Sequence, residues 1–259
     1  MEVNTYHLAP FVIYDDYDEH GYLLDLKQGI LEELDEQSTS MLSAVLKAPS
    51  VEEAITALSS CLGGEELEAH MEALLTRLQE QRLLESGHKA PLSRPTPVTR
   101  LHDEEERAPR PVTVKQRLRG AGHILVVLND LRKVQGLFRA YQYVHQIRDT
   151  MAVLPEDAAL RLSREEYWLY RLVTGLFERR IAHQLGQERG AEGLCMIRAF
   201  ALCAYLLSLG VPAQVVIARP KYGSRSGFKL HLWTELHGKP LNEAPNIRDR
   251  FRVLTVFPS

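Results

Sequence analysis
The hydrophobic pattern changes character three times along the chain. Residues 6–34 carry short apolar runs at strand spacing. Tyr6 to Tyr14 holds Phe11, Val12 and Ile13, Gly21 to Leu26 forms a second run, and Ile30 to Leu34 a third, with a turn at Lys27-Gln-Gly29. The period then becomes helical. A helix beginning between Glu36 and Ser40 presents Met41, Leu42, Val45 and Leu46, and Pro49 closes it. Ser50-Val-Glu-Glu53 is a capping-box sequence that opens a second helix with Val51, Ala54, Ile55 and Leu58 on one face. Gly63-Gly64 stops it, and a third helix from Glu65 to about Leu84 stacks Leu67, Met71, Leu74, Leu75 and Leu78. Three strands followed by three helices describe a small winged-helix-like domain with a three-stranded antiparallel sheet.

A different pattern starts at Val114. From there to about Arg148 apolar residues recur at helical spacing, which predicts one or two helices, with Gly120 and Gly122 as candidate breaks. Ser163-Arg-Glu-Glu166 reads as a second capping box before a helix with Trp168, Leu169, Leu172 and Leu176. Arg179, Arg180 and His183 fall near its end. Gly193-Leu194 reads as a loop, Cys195 to Ser208 as a buried helix and Gly210 as its stop. Gln214 to Arg219 is a strand, Lys221 to Gly227 a loop, and Phe228 to Leu236 a strand. Gly238 is a turn, and Lys239 to Glu243 a returning strand. The fold class expected is therefore α+β, with the C-terminal part helical first and then an antiparallel sheet.

Composition sharpens the division. The chain has 259 residues, 45% hydrophobic and 25% charged, with a formal net charge of −3. Residues 1–90 hold 18 Asp/Glu against 5 Lys/Arg, a net of −13, which leaves +10 for the remainder. Five of the thirteen prolines lie in residues 91–111 around the run Asp103-Glu-Glu-Glu-Arg107, which reads as an exposed linker. The expected boundaries are 1–88, a linker at 89–112, and 113–259. The acidity of the first part argues against nucleic acid and suits a basic peptide or simple solvation. No stretch reaches the ~18 apolar residues of a membrane span. The N-terminus lacks a basic, apolar targeting sequence. A cytoplasmic, bacterial location is expected, and no cofactor is implied. Three cysteines, at 61, 195 and 203, cannot form a disulfide scaffold.

The chemistry concentrates after residue 193. A cysteine on the first turn of a helix meets free N–H groups and the positive end of the helix dipole, which favour thiolate and could hold an oxyanion. Cys203, inside the apolar helix, and Cys61 read as structural thiols. Alternation puts His231, Trp233 and Glu235 on one strand face. A turn near Gly238 brings Glu243 or Asn242 toward the His231 ring. Thiol, imidazole and an orienting carboxylate or amide are the parts of a nucleophilic triad. A zinc site of Cys195, His231 and His237 fits the spacing poorly.

Two resemblances follow from these residues. Gly21-Tyr-Leu-Leu-Asp-Leu-Lys-Gln-Gly29, then Leu34-Asp35-Glu36 and the helix from Ser38, resembles the RiPP recognition element, itself similar to the peptide chaperone of pyrroloquinoline quinone biosynthesis. It covers residues 5–85 and implies that a precursor leader peptide adds to the third strand and lies against the third helix. By that resemblance Leu31, Glu33, Met71, Leu74, Leu75 and Leu78 line the groove, although core packing explains the same leucines. Second, Leu194-Cys195, Arg198-Ala199, Leu202, Gly210-Val-Pro-Ala213, His231-Leu-Trp233-Thr-Glu235, Gly238 and Asn242-Glu243 resemble the transglutaminase-like (papain-like) cysteine peptidases, and among them the leader peptidases, or B proteins, of lasso-peptide biosynthesis. That resemblance covers about 115–259. It implies Cys195 as nucleophile, His231 as base, and Glu243 or Asn242 as orienter, where family members usually carry Asp. The partners it implies are a precursor peptide and an asparagine-synthetase-like cyclase. A non-catalytic peptide-binding scaffold is the competing expectation.

Overall fold
Two units divide the chain in the computed structural model, residues 1–106 and 107–259. The structure describes residues 5–17, 20–59, 64–87, 112–133, 135–221 and 230–258, with the side chains of 17, 64, 65, 173 and 176–192 excluded. The expected linker, Cys61 and most of the loop at 221–227 lie outside the described residues.

In the N-terminal unit the first apolar run is two strands, not one. Pro10, which has no N–H to give a ladder, sits in the turn between β1 (Tyr6–Leu8) and β2 (Val12–Tyr17). β2 pairs antiparallel with β3 (His20–Asp25), and β3 with β4 (Ile30–Leu34), giving the sheet order β2-β3-β4. The β3–β4 turn is held by the Asp25 carboxylate, which accepts from the N–H groups of Lys27 and Gln28 at 2.6 and 3.1 Å. Asp35 caps α1 (Glu36–Lys47) by accepting from Ser38 N–H at 2.7 Å, and that bond holds its carboxyl below the usual range. Ser50 accepts from Glu53 N–H at 3.2 Å at the start of α2 (Val51–Ser59). α3 (Gly64–Glu80) ends four residues earlier than its apolar spacing suggests. The chain then forms a short strand, β5 (Leu84–Ser86), which pairs with β1.

The C-terminal unit opens with α4 (Val114–Leu131), capped by a reciprocal Thr113–Gln116 capping box. Gly120 and Gly122 do not break it. Gly120 is a contact point instead: a Cβ there would sit 2.7 Å from the Tyr205 ring. The break falls before α5 (Gly136–Thr150), at Gln135 with φ 61°.

Next comes α6 (Glu156–Ser208), a helical stretch of 53 residues. It begins at Pro155 with Glu156 and Asp157 in its first turn, not at Ser163. Ser163 lies inside the helix and donates to Leu160 O, so the capping-box reading there is wrong. α6 is also no straight rod. Tyr205 donates to Glu166 at 2.8 Å across 39 residues, and Tyr170 donates to Arg198 O at 3.0 Å across 28. At a rise of 1.5 Å per residue, the first pair would lie about 58 Å apart in a straight helix. The helical stretch therefore doubles back between Tyr170 and Arg198, and its two arms run antiparallel. The returning arm is apolar all round, with Ile197 and Ala199 to Leu206 all fully buried. Gly210, at φ 86°, ends it where a Cβ would meet Ala152 O at 2.7 Å.

The returning arm lies against an antiparallel sheet of order β8-β7-β6-β9, formed by β6 (Gln214–Pro220), β7 (His231–Leu236), β8 (Lys239–Pro240) and β9 (Phe251–Phe257). β8 is shorter than the expected returning strand, and Asn242 and Glu243 lie beyond it. The short helix α7 (Ile247–Arg250) leads into β9, which pairs with β6 and was unexpected as a strand. Both units are thus mixed α+β, as the hydrophobic pattern implies.

Candidate functional site
In the C-terminal unit two contacts set the height of Cys195. Cys203 Sγ donates to Ala213 O at 3.4 Å, and Thr234 Oγ1 donates to Ala199 O at 2.9 Å. Ala213 precedes Gln214, which pairs with Glu235. So Cys203 is level with one end of β7 and Ala199 with its middle. One turn further back along α6 is about 6 Å. That equals about two residues of strand. Cys195, four residues before Ala199, therefore lies toward the end of β7 at which His231 sits.

Gly193 and Leu194 are helical, where the sequence predicts a loop before Cys195. The two cysteines differ in surroundings: Cys195 is 8% exposed and Cys203 fully buried. Burial pushes the Cys203 thiol far above its ordinary range, as expected for a structural thiol.

His231 is the first residue of β7. Its Nε2 lies 3.0 Å from Glu243 Oε1. Of the two candidate orienters, Glu243 is the one that touches the ring. Asn242 Oδ1 instead accepts from Thr234 N–H at 2.8 Å, continuing the β7 hydrogen bonding where β8 stops. The ring stacks on Phe251 at 4.7 Å and lies 5.8 Å from Trp233. Burial lowers the His231 pKa below its ordinary value, against the pull of Glu243 and with help from Arg250. The imidazole is therefore neutral near pH 7, as a proton acceptor must be.

Behind the ring lies a polar arrangement the sequence reading did not assign. Glu235, 1% exposed, accepts from Trp233 Nε1–H at 2.7 Å and from both Nε and Nη2 of Arg248. The motif spacing placed Glu235 on the His231 face, but nothing local pointed to Arg248. His237 sits in the turn after β7 at φ 50°, exposed. Among the described residues no group of three His, Cys, Asp or Glu side chains is placed to hold a metal.

In the N-terminal unit, β4 is an edge strand, paired only with β3 among the described residues. The six residues expected to line a groove do not share one. Met71, Leu74, Leu75 and Leu78 are buried in the core. Leu31 and Glu33 point to the other face of β4, opposite Leu24 and Tyr22, and Glu33 accepts from the Tyr22 hydroxyl at 3.1 Å. The β4 residue facing α3 is Glu32, which pairs with Arg77 at 3.6 Å. A cleft of about 160 Å³ opens there among Asp25, Ile30, Glu32, Gln81 and Leu83, with Ile30 54% exposed. The difference is one residue of register, and with a side-chain period of two it exchanges the faces.

Residues 139–256 match the family model of the transglutaminase-like superfamily, a stretch that contains Cys195, His231 and Glu243. That superfamily generally includes cysteine peptidases. No curated protein and no solved structure matches the chain. No helix among the described residues is long and apolar enough to cross a membrane.

Proposed function
We propose that the protein is a cysteine peptidase that binds the leader peptide of a ribosomally made lasso-peptide precursor and cleaves it off. The observation that carries this reading is the His231–Glu243 pair at 3.0 Å, inside the stretch that matches the transglutaminase-like superfamily and also holds Cys195. In this reading the Cys195 thiol gives its proton to His231 and the sulfur attacks the carbonyl that ends the leader. With Nε2 held by Glu243, Nδ1 is the ring atom that takes the proton. The imidazolium then protonates the departing amine of the core peptide. Water, giving a proton to the same nitrogen, hydrolyses the thioester and restores the thiol.

The leader would add as a strand to the open edge of β4, with side chains read by the Ile30–Glu32 cleft. The released core would pass to an asparagine-synthetase-like cyclase, the partner implied by resemblance. The test compares wild type with Cys195→Ala on a precursor peptide encoded beside the gene, following cleavage by mass spectrometry and binding by fluorescence anisotropy. Cleavage by wild type alone, with binding by both, is expected. Binding without cleavage by wild type overturns the reading.

One observation favours a non-catalytic scaffold: Gly193 and Leu194 are helical, where a loop would leave N–H groups free for an oxyanion. Alkylation of Cys195 by iodoacetamide at pH 7 separates the two. A reactive thiol that slows in His231→Ala supports the peptidase, and an inert one the scaffold.

A further inference from the structure
Glu235 is a buried carboxylate that the proposed reaction does not use. It joins two elements that both end on the His231 ring. On its own strand it accepts the indole N–H of Trp233, which is fully buried and lies 5.8 Å from the imidazole. Across the turn it takes the guanidinium fork of Arg248 on α7. The residue that ends α7 is Phe251, whose ring stacks on His231 at 4.7 Å and meets Trp233 edge-on at 6.3 Å and 61°. One carboxylate thus fixes both aromatic walls of the imidazole. Trp233 and Phe251 also belong to the apolar cluster of Val216, Ala218 and Ile247, which keeps water from that side.

We propose that Glu235, through Arg248 and Trp233, is the positioning residue that holds the aromatic walls of His231 and so sets how dry the proposed catalytic base is. The inference rests on the reading of His231 as the base. Its physical content holds for the ring alone, because a looser wall admits water on the Phe251 side while Glu243 stays in place. Among the described residues, Glu243 and Arg250 are charged groups that act on the ring. Neither is altered by the substitutions below.

The test uses the full chain with labelled histidine and follows the His231 ring by NMR as pH is varied, in wild type, Glu235→Gln and Arg248→Lys. Arg248→Lys, which keeps both charges, is expected to move the His231 midpoint upward, toward about 6.5, the value of a hydrated imidazole, whereas Glu235→Gln also removes a negative charge, which pulls the midpoint back down. Iodoacetamide alkylation of Cys195 at pH 7 is expected to fall several-fold in both. If Glu235→Gln does not fold, Arg248→Lys carries the test, since its side chain is half-exposed and it keeps the charge while losing the fork. An unchanged midpoint in Arg248→Lys with wild-type circular dichroism overturns the inference. If His231→Ala leaves alkylation at the wild-type rate, the proposed base role fails, while a shifted midpoint still establishes Glu235 as the group that positions the ring.

Discussion

The reversal of α6 brings Cys195 to β7, and it can be tested through Tyr205 and Glu166. The two side chains touch at 2.8 Å only if the helical stretch folds back. Tyr205 is fully buried, and burial beside the carboxylate pushes its phenol well above the ordinary range, so it stays protonated and donates. A buried hydrogen bond to a charged acceptor contributes about 1.5–3 kcal/mol. Glu166 keeps Arg117 as a partner at 2.7 Å when the hydroxyl is gone, so Tyr205→Phe should cost close to 1.5 kcal/mol, the lower end of that range. For a unit of 153 residues that lowers Tm by about 3–6 °C. The decisive measurement is a double-mutant cycle of Tyr205→Phe with Glu166→Ala, in which the loss of Arg117 pairing cancels. Both tryptophans, Trp168 and Trp233, lie in the C-terminal unit, so urea unfolding followed by tryptophan fluorescence reads that unit alone. A coupling of about 1 kcal/mol or more is expected. Additivity within about 0.3–0.5 kcal/mol, the result for residues that do not touch, refutes the reversal.

Three further outcomes follow from the same geometry. Gly120→Ala should destabilise the C-terminal unit, because a Cβ 2.7 Å from the Tyr205 ring forces repacking that costs about 1–3 kcal/mol against a helix-propensity gain of about 1. Gly122→Ala, with nothing within 4 Å of its Cβ, should stabilise by about 0.5–1 kcal/mol, and thermal melts that rank the two in the reverse order contradict the α4–α6 packing. Glu243→Gln removes the group that pulls the His231 pKa upward while Arg250 still opposes protonation, so an NMR titration should find the midpoint lower than in wild type, and a rise would break the assignment of their contact. Burial depresses His123, His145 and His231 below the unfolded value of about 6.5. The unfolded chain therefore takes up protons first as pH falls. Stability supplied by these rings is complete above about 6.5 and is lost toward the folded values, so melts at pH 7.5 and 5.5 should show a lower Tm at the acid pH in tryptophan fluorescence.

What the sequence revealed depended on the distance over which each feature is encoded. The His231–Glu235 alternation and the turn at Gly238 are local, so the strand and its face could be read directly, and twelve residues of chain bring Glu243 back to the ring. The β1–β2 break was equally local, since Pro10 sits in the middle of the run, and the apolar residues around it hid the signal. Glu166 is the opposite case. Its spacing from Ser163 imitates a capping box, yet its partners, Arg117 and Tyr205, lie 49 and 39 residues away. A carboxylate held by a distant guanidinium and a distant phenol leaves no periodic trace. For the same reason the sequence predicts a loop at Gly193-Leu194, where glycine and a change of composition look like a cap, whereas both residues are helical. Arg248 belongs with Glu166: a surface arginine on a four-residue helix gives no sign that its fork closes on a buried carboxylate. In both cases a buried acid selects a distant arginine because leaving the charge unpaired costs several kcal/mol. Glu166 ties the two arms of α6 together, and Glu235 ties α7 to β7. The two contacts fix, from opposite sides of the sheet, the cysteine-bearing arm and the wall of the histidine.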